Sequence, residues 1–340
     1  MALSASLIQS FEVSFKILGN IVYLFLSQKL SGVLSLSYPI KELVKTEPKI
    51  TIGVCVKNGE KVLSGAVESI LSQDFPHEFV EVIFVDDGSV DSTLSLMQRY
   101  VRILDMPVSV FHHEWQGLGP TRNVVCANAR GKYVVWVDGD MTFPKDFVRQ
   151  QFEFMEINPL VGIGKAKYGL SSQASLASEL ENMEFAITNI RSSKDRNSAP
   201  LGAGGCIYRA TALRQVGGFN ERIQGSGEDM DIERRIKAVG WVLTITPAVF
   251  FENRRKNWKS LWAEYAWHGK GGGYLFKNHN QSFSVKTLFP LLILKDEFGR
   301  VIVAYKLTRR KTALLLPVHY FFKRAAWAYG FLKSVLSTKT

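Results

Sequence analysis

KYVVWVDGDM, at residues 132–141, contains a continuous apolar run followed by two aspartates, and its pattern predicts a strand over residues 132–140 that ends in these acids. Two earlier runs have the same apolar character, ITIGVCV at residues 50–56 and VEVIFVDD at residues 80–87, and the second also ends in acids. Segments with helical spacing lie between and after these runs, at residues 62–73, 92–101 and 119–129. Apolar strands that alternate with helices predict an α/β fold with a mostly parallel, Rossmann-like sheet flanked by helices. Ligands of such sheets bind beyond the carboxyl ends of the strands, where these acids lie.

The pattern divides the chain into three parts. In residues 1–48, Phe15, Leu18, Ile21 and Phe25 recur at helical spacing, which predicts an amphipathic N-terminal segment. Residues 49–253 hold the strand–helix alternation and its continuation. Residues 254–340 combine aromatic, basic and apolar runs, and we predict a basic, amphipathic, helical extension there.

The composition excludes a disordered chain, because 46% of the 340 residues are hydrophobic and only 21% are charged. The net charge of +11 is unevenly distributed. Residues 254–340 contain 17 lysines and arginines against 3 acids, whereas residues 1–253 contain 25 against 28. A basic region of this kind suits a polyanion, which can be a nucleic acid, a phosphorylated acceptor or an anionic membrane surface.

Three acidic clusters are candidates for chemistry: Asp86 with Asp87, Asp138 with Asp140, and Glu228 with Asp229. The first pair, at a strand end, can accept hydrogen bonds from a nucleobase or ribose. The second pair, one residue apart, can share a hard divalent ion. The third opens a helix, and one of its carboxylates can act as a general base. Each cluster alone also fits a structural interpretation, as an acidic turn, a helix cap or a complement to the helix dipole.

The clusters and their order resemble the inverting family 2 glycosyltransferases of GT-A fold. The matching stretches cover about residues 49–250. They are VKNGEKVLSGAVESILSQ, VIFVDDGSVDST, GLGPTRNVVCANARGKYVVWVDGDM, GAGGCIYRATALRQVGGFNE and GEDMDIERRIKAVGW. In combination these motifs are far more specific than any one of them.

The resemblance implies a role for each matching residue on the donor side. Val56, Asn58, Asp86 and Asp87 are expected to bind the base and ribose of the nucleotide. Arg122 and Asp138 are also expected on the nucleotide side of the site. Asp138 and Asp140 match the D-x-D motif, which binds Mn²⁺ or Mg²⁺ on the donor diphosphate.

On the sugar and acceptor side, the resemblance implies that Gly204 and Gly205 line the sugar pocket and that Asp229 is the catalytic base, with Glu228 beside it. His268 and Lys270, in WHGKGGG, are expected near the acceptor, although a structural or surface role also fits them. Two positions depart from the family pattern. Glu252 stands where relatives often have a histidine near the metal, and Lys57 stands where they often have an aromatic residue or arginine.

The C-terminal apolar runs are interrupted by basic residues. Each central charge in a membrane span costs about 2.5–3.5 kcal/mol. We therefore predict amphipathic helices that lie in the membrane interface, with Tyr320, Trp327 and Tyr329 near the lipid headgroups. A helical subdomain packed on the catalytic core is an alternative that is compatible with this prediction.

Together these patterns predict inverting, metal-dependent transfer of a sugar from a UDP- or GDP-sugar to a hydroxyl of a lipid-linked or glycan acceptor. The predicted location is the cytoplasmic face of the cell membrane, with peripheral or monotopic attachment and no nucleic acid partner. A nucleotidyltransferase on a related sheet, a nucleic-acid-binding protein that uses the basic region, and an inactive membrane scaffold are the alternatives. The last two leave the acidic clusters without a role.

Overall fold

The computed structural model describes residues 47–171, 175–192, 202–223, 225–279 and 294–337. The chain forms two compact units, Met1–Lys45 and Thr46–Thr340, and all the described residues belong to the second. The predicted N-terminal amphipathic helix lies outside the described residues. Both the sheet and the described C-terminal helices lie in the second unit. The boundary at residues 253 and 254 stays a prediction.

A mixed sheet forms the centre of the fold. Its eight strands are β1 (Ile50–Val56), β2 (Val80–Asp87), β3 (Val108–His113), β4 (Tyr133–Trp136), β5 (Met141–Thr142), β6 (Val161–Tyr168), β7 (Cys206–Arg209) and β8 (Val242–Glu252). Their order in the sheet is β3-β2-β1-β4-β7-β6-β8-β5. Neighbours pair in parallel except at β4–β7, β7–β6 and β8–β5. The sheet is therefore mostly parallel, as predicted.

Helices cover the sheet and extend from it. They are α1 (Leu63–Leu71), α2 (Thr93–Tyr100), α3 (Leu118–Asn128), α4 (Phe147–Ile157), α5 (Leu176–Ser192), α6 (Ala210–Gln215), α7 (Glu228–Ala238), α8 (Trp258–His279), α9 (Leu294–Thr308) and α10 (Leu316–Leu336). Short 3₁₀ helices lie at His77–Phe79 and Lys311–Leu315. No helix among these described residues has both the length and the apolar character needed to cross a bilayer.

The central strands are buried on both faces because alternate side chains enter two different hydrophobic clusters. Ile52 and Val54 of β1 lie in one cluster, whereas Cys55 of β1 and Trp136 of β4 lie in the other. This explains why the sequence of these strands is continuously apolar rather than alternating.

The strand order creates a crevice at the carboxyl ends of β1 and β4. The chain proceeds outward from β1 through β2 to β3 and then returns to place β4 on the other side of β1. Ligands of α/β sheets bind at such a reversal of strand order. The crevice lies where Val56 ends β1 and where the turn that contains Asp138 follows β4.

Helices α8 and α10 pack closely through glycines. A side chain at Gly269 or Gly272 would collide with Trp327, and one at Gly330 would collide with the backbone of Ala266. The GKGGG segment therefore serves helix packing. Tyr320 is only 4% exposed, so the prediction that it lies at the lipid headgroups is wrong. Trp327 is half-buried and packs against α8, and its position at the headgroups stays a prediction. Tyr329, at 53% exposed, does face outward.

Candidate active site

The D-x-D segment forms a turn above the end of β1. The apolar pattern predicted strand as far as residue 140, but β4 ends at Trp136. The backbone N–H of Met141 then donates to the Asp138 carbonyl at 3.0 Å and closes the turn. Val56 is 7% exposed and lies beneath this turn, since a Cβ at Gly139 would be 3.0 Å from its side chain. Val56 therefore supports the turn that carries Asp138.

Arg122 connects two of the predicted acidic clusters. Its guanidinium is buried over the rings of Trp136 and Phe219, 5.7 Å and 5.6 Å from their centres. It donates to Glu228 and lies 3.7 Å from Asp138. Burial opposes its charge, but Glu228 and Asp138 outweigh that effect and raise the pKa of Arg122 above its usual value. Arg122 is therefore a fixed cation that joins the D-x-D turn to the start of α7.

A glycine loop at residues 202–205 lies between the same two clusters. Gly202 and Gly205 have φ of 70° and 72°, which favours glycine at both positions. A side chain at Gly204 would collide with the Asp138 carboxylate, and a Cβ at Gly202 would lie 3.6 Å from the Asp229 carboxylate. The loop thus approaches Asp138 closely at Gly204 and Asp229 at Gly202, and only glycine at these positions allows that approach.

Lys165 of β6 holds this loop from below, and the sequence analysis missed it. The side chain is 2% exposed, its ammonium donates to the Gly204 carbonyl, and it lies 4.8 Å and 5.0 Å from the ring centres of Tyr168 and Phe250. The backbone N–H of Gly202 donates to Glu233 at 2.8 Å. A lysine directly after the apolar start of this strand, VGIG, is the signal that sequence reasoning could have used.

Glu228 and Asp229 occupy different environments at the start of α7. Glu228 is 3% exposed and bound to Arg122. Burial and the Asp229 charge raise the pKa of Glu228 to about 7, although Arg122 opposes the shift. Asp229 is half-buried and accepts a hydrogen bond from the Met230 N–H at 2.8 Å. Asp229 is therefore the more accessible of the two carboxylates.

Asp140 and Glu252 face each other across the β5–β8 pair. Met141 pairs with Glu252, and the Asn253 N–H donates to the Asp140 carbonyl at 3.0 Å. Burial, and then the charges of Glu252 and Asp138, raise the pKa of Asp140 to about 7. Glu252 is itself paired with Arg254.

The carboxylates of Asp138, Asp140 and Glu252 supply the oxygen ligands that hard divalent cations prefer. A cation bound there would relieve the repulsion between their charges. Asp138 and Asp140 fit the predicted Mn²⁺ or Mg²⁺. The Arg254 pairing shows that Glu252 is already neutralised by the protein.

A second carboxylate cluster lies where α5 meets the C-terminal helix α10. Glu181, Glu184 and His319 bring potential metal-ligating atoms within 4.8 Å of one another. The ammonium of Lys323 already lies 3.0 Å from Glu181 and 2.9 Å from Glu184. Tyr265 also donates to Glu181. We therefore interpret this cluster as an ion-pair network, with Lys323 as its cation.

The residues predicted to bind the nucleotide gather at the ends of β1 and β2. Asp86 is fully buried and lies 2.7 Å from His112, while its Oδ1 atom has no hydrogen-bond partner among the described residues. Asp87 accepts hydrogen bonds from the backbone of Gln116 and Gly117. Protein contacts thus use most of the hydrogen-bonding capacity of this pair and leave one buried oxygen for a ligand.

Asn58 links this region to the D-D-G-S segment, and an aromatic ring lies next to it. Asn58 donates from its N–H to Ser89 at 2.8 Å and accepts from the Val90 N–H at 2.9 Å. Trp115 is 54% exposed, and the ammonium of Lys57 lies 5.0 Å from its ring centre. Sequence reasoning missed Trp115, which offers a ring face on which a nucleobase can stack.

His268 and Lys270 belong to α8, which packs against the turn before Glu228. Gly271 has no room for a side chain because Ser226 lies against it, and Ser226 donates to the His268 carbonyl at 3.4 Å. Burial lowers the pKa of His268, while the charges of Glu264 and Asp229 oppose that shift. Lys270 is exposed. The structure thus places His268 within electrostatic reach of Asp229; the acceptor roles of both residues stay predictions.

This sheet, with a D-x-D turn at its crevice and with Glu228 and Asp229 at the start of α7, has the GT-A fold of glycosyltransferases. Residues 51–217 match the family described as Glycosyl transferase family 2. The chain belongs to that family, which confirms the resemblance and the predicted fold class.

The fold is shared with a solved mannosyltransferase, PcManGT from Pyrobaculum calidifontis, whose structure contains GDP-Man and Mn²⁺. That similarity has a TM-score of 0.61 at 17% identity and covers 93% of this chain and 94% of PcManGT.

Two curated relatives are similar over a shorter region. The poly(ribitol-phosphate) β-N-acetylglucosaminyltransferase TarS of Staphylococcus aureus is 33% identical over 108 residues, which is 32% of this chain and 19% of TarS. The putative teichuronic acid biosynthesis glycosyltransferase TuaG of Bacillus subtilis is 33% identical over 109 residues, 32% of this chain and 42% of TuaG. The alignments thus span less than half of each of these relatives.

Proposed function

We propose that this protein transfers a sugar from a UDP- or GDP-linked donor to a hydroxyl group, with inversion at the sugar and with Mn²⁺ or Mg²⁺. The arrangement around Arg122 carries the proposal, because this one side chain joins Glu228 at the start of α7 to Asp138 of the D-x-D turn. The glycine loop approaches both Asp138 and Asp229. PcManGT, which shares the fold, was solved with GDP-Man and Mn²⁺, and this supports the donor and metal classes.

The donor diphosphate fits beside Asp138 and Asp140. A divalent cation held there would neutralise the charge that develops as the nucleoside diphosphate leaves. The Arg122 guanidinium, fixed near Asp138, adds a permanent positive charge on the same side. The buried, unpartnered Oδ1 of Asp86 and the exposed Trp115 ring lie near the strand ends where the nucleoside would bind.

Asp229 is the proposed base. Its carboxylate lies at the Gly202 end of the glycine loop, whereas Asp138 lies at Gly204, so a base and a leaving-group site would be held by the same loop. Glu228 fills a different role, since its contact with Arg122 fixes the start of α7.

We further propose a lipid-linked or glycan acceptor at the cytoplasmic face of the membrane, with peripheral or monotopic attachment. The basic C-terminal quarter supports an anionic surface. A nucleic-acid partner would leave the acidic crevice without a function.

Donor binding provides the test. The melting temperature of the full chain is measured with a panel of UDP- and GDP-sugars, each with and without Mn²⁺, because a ligand of the folded state raises it. We expect one donor to raise it only when Mn²⁺ is present, and Asp140→Ala to abolish that rise. Asp105→Ala, which changes an exposed aspartate outside the crevice, is the control. An unchanged Mn²⁺-dependent rise in Asp140→Ala would contradict the metal assignment.

A further inference from the structure

Helix α10 presents an unbroken apolar face to its surroundings. Its exposed large hydrophobic side chains, 42–77% exposed, are Val318, Phe321, Tyr329, Leu332 and Leu336. They recur every three or four residues or at multiples of that spacing, so at 100° per residue they fall within an arc of about 80°. The arc contains no charged residue, and it runs for about 27 Å along the helix. We call these five residues the α10 stripe.

Lys323, Arg324 and His319, in the middle and first part of α10, are turned away from this face. Lys323 is 4% exposed and His319 is fully buried, and both contact Glu181 of α5. Arg324 donates to the hydroxyl of Tyr320, one turn earlier in the same helix. A helix on a protein surface in water normally has the opposite arrangement, with apolar residues inward and charges outward. The α10 stripe therefore indicates a partner that is apolar.

Basic groups border this face at both ends. Leu314 and Leu315, just before α10, are 66% and 42% exposed, and exposed Arg309 and Lys311 lie next to them in the chain. Lys333 is exposed near the other end. Residues 298–340 contain no aspartate or glutamate. An apolar strip with basic flanks matches the chemistry of an anionic bilayer, with its acyl region and acidic headgroups.

We propose that the α10 stripe docks on an anionic lipid bilayer, with Leu314 and Leu315 at its leading end and the helix lying in the interfacial plane. This inference rests on the membrane location in the proposed function and names the surface that would make the contact. The helix would enter to about 5–10 Å, the depth of interfacial helices. Burial of the stripe removes its apolar side chains from water, and the basic flanks add an attraction that salt screens.

Vesicle flotation of the full chain, without donor or acceptor, tests the proposal. The vesicles contain equal parts of phosphatidylcholine and phosphatidylglycerol, and a parallel set contains phosphatidylcholine alone. We expect the wild type to bind the anionic vesicles more tightly than the neutral ones, and less tightly as salt rises. The double variant Phe321→Ser/Leu332→Ser should bind at least about tenfold more weakly, because it removes two apolar side chains from the contact.

The matched control is Ile157→Ser/Leu160→Ser, which removes two apolar side chains that are 78% and 72% exposed near the end of α4. It should bind like the wild type. Melting temperatures of both variants show whether they are folded, and light scattering gives their oligomeric state.

Three results would overturn the proposal. In the first, the wild type does not float with anionic vesicles. In the second, the stripe variant is folded and floats as well as the wild type. In the third, the wild type is a dimer that binds no vesicles, and the stripe variant is a monomer. The last result would assign the stripe to a second copy of the chain. Sugar transfer to a soluble acceptor is assayed separately. A failure of the proposed transferase activity is therefore distinguishable from a failure of membrane docking.

Discussion

Asp229 and Asp231 lie on the same turn of α7, yet their surroundings give them different roles. Asp231 is 3% exposed and bound to Arg234 and Arg235 of its own helix. Asp229 instead faces the glycine loop, with its Oδ2 atom on the side of Gly202. Burial and pairing thus assign Asp231 to helix stability and leave Asp229 for chemistry.

This difference gives the first prediction. Asp229→Asn should bind the donor like the wild type and should transfer sugar about 10²–10⁴-fold more slowly, because the amide keeps the shape but cannot accept a proton. Single-turnover rates and donor titration measure the two effects. Asp231→Asn is the control and should keep its turnover rate even where its melting temperature falls. Transfer by Asp229→Asn within about twofold of the wild-type rate would eliminate Asp229 as the base.

Lys165 carries the second prediction. Its buried ammonium donates to the Gly204 carbonyl, so Lys165→Met leaves a buried acceptor without its donor at a cost of about 1–3 kcal/mol. We expect a raised KM for the donor and a lower melting temperature, since the loop between Asp138 and Asp229 is no longer held. Lys167→Met changes an exposed lysine two residues along the same strand and serves as the control. Equal donor KM values in the two variants would show that Lys165 does not position the loop.

At the scale of elements, α10 is attached to α5 by charge. Glu181 is bound by Lys323, His319 and Tyr265, and Glu184 by Lys323. Removal of one partner from a buried ion pair typically costs about 3–5 kcal/mol, because the remaining charge is left uncompensated. Lys323→Met should therefore lower the free energy of unfolding by about that amount in a denaturant titration. Lys333→Met, on the exposed side of the same helix, should change it by no more than about 0.5 kcal/mol. Similar losses in both variants would contradict the network.

The same network predicts a response to acid. Burial opposes the charge of Glu181, but Lys323 and His319 outweigh it and hold the pKa of Glu181 well below its usual range. A folded-state pKa below the unfolded value means that the stabilisation is present above the unfolded pKa of about 4.3 and is lost as pH falls below it. Unfolding curves of the wild type should therefore shift to lower denaturant as pH falls from about 5 to 3, and those of Lys323→Met should shift less. Parallel shifts in both proteins would exclude Glu181 as the titrating group.

Local patterns predicted some elements well and failed where packing decides. The strands β1 and β2 and helix α3 are encoded by their own residues, and the predicted bounds agree with the structure to within a residue. The position of Lys165 beneath Gly204, 39 residues away, depends on how β7 inserts beside β6, which no local pattern specifies. Tyr320 was predicted at the lipid headgroups but is buried, because the sequence of a helix does not show which of its faces packs against the protein.

At the scale of the whole molecule, the C-terminal helices are part of the catalytic unit. Residues 46–340 form one compact unit, and a hydrophobic cluster joins Leu180 and Met183 of α5 to Val301 of α9 and Leu316 of α10. After a gap of nine undescribed residues, α5 is followed by the glycine loop that faces Asp138 and Asp229. The helices proposed to meet the membrane are therefore packed on the helix that precedes the donor loop in the chain.

The last prediction follows from this packing. Removal of residues 307–340 takes away Lys323 and His319, so the buried carboxylate of Glu181 loses its partners, and it also uncovers Leu180 and Met183. An uncompensated buried charge and newly exposed apolar surface both destabilise the fold. We expect the truncated chain to melt well below the wild type or to lack a cooperative transition, and the wild type to unfold in a single transition by calorimetry. A truncated chain that keeps the wild-type melting temperature and donor binding would show that the helices form an independent module. Membrane attachment is consequently better tested by the stripe variant than by truncation, because the stripe residues can change while the buried network remains intact.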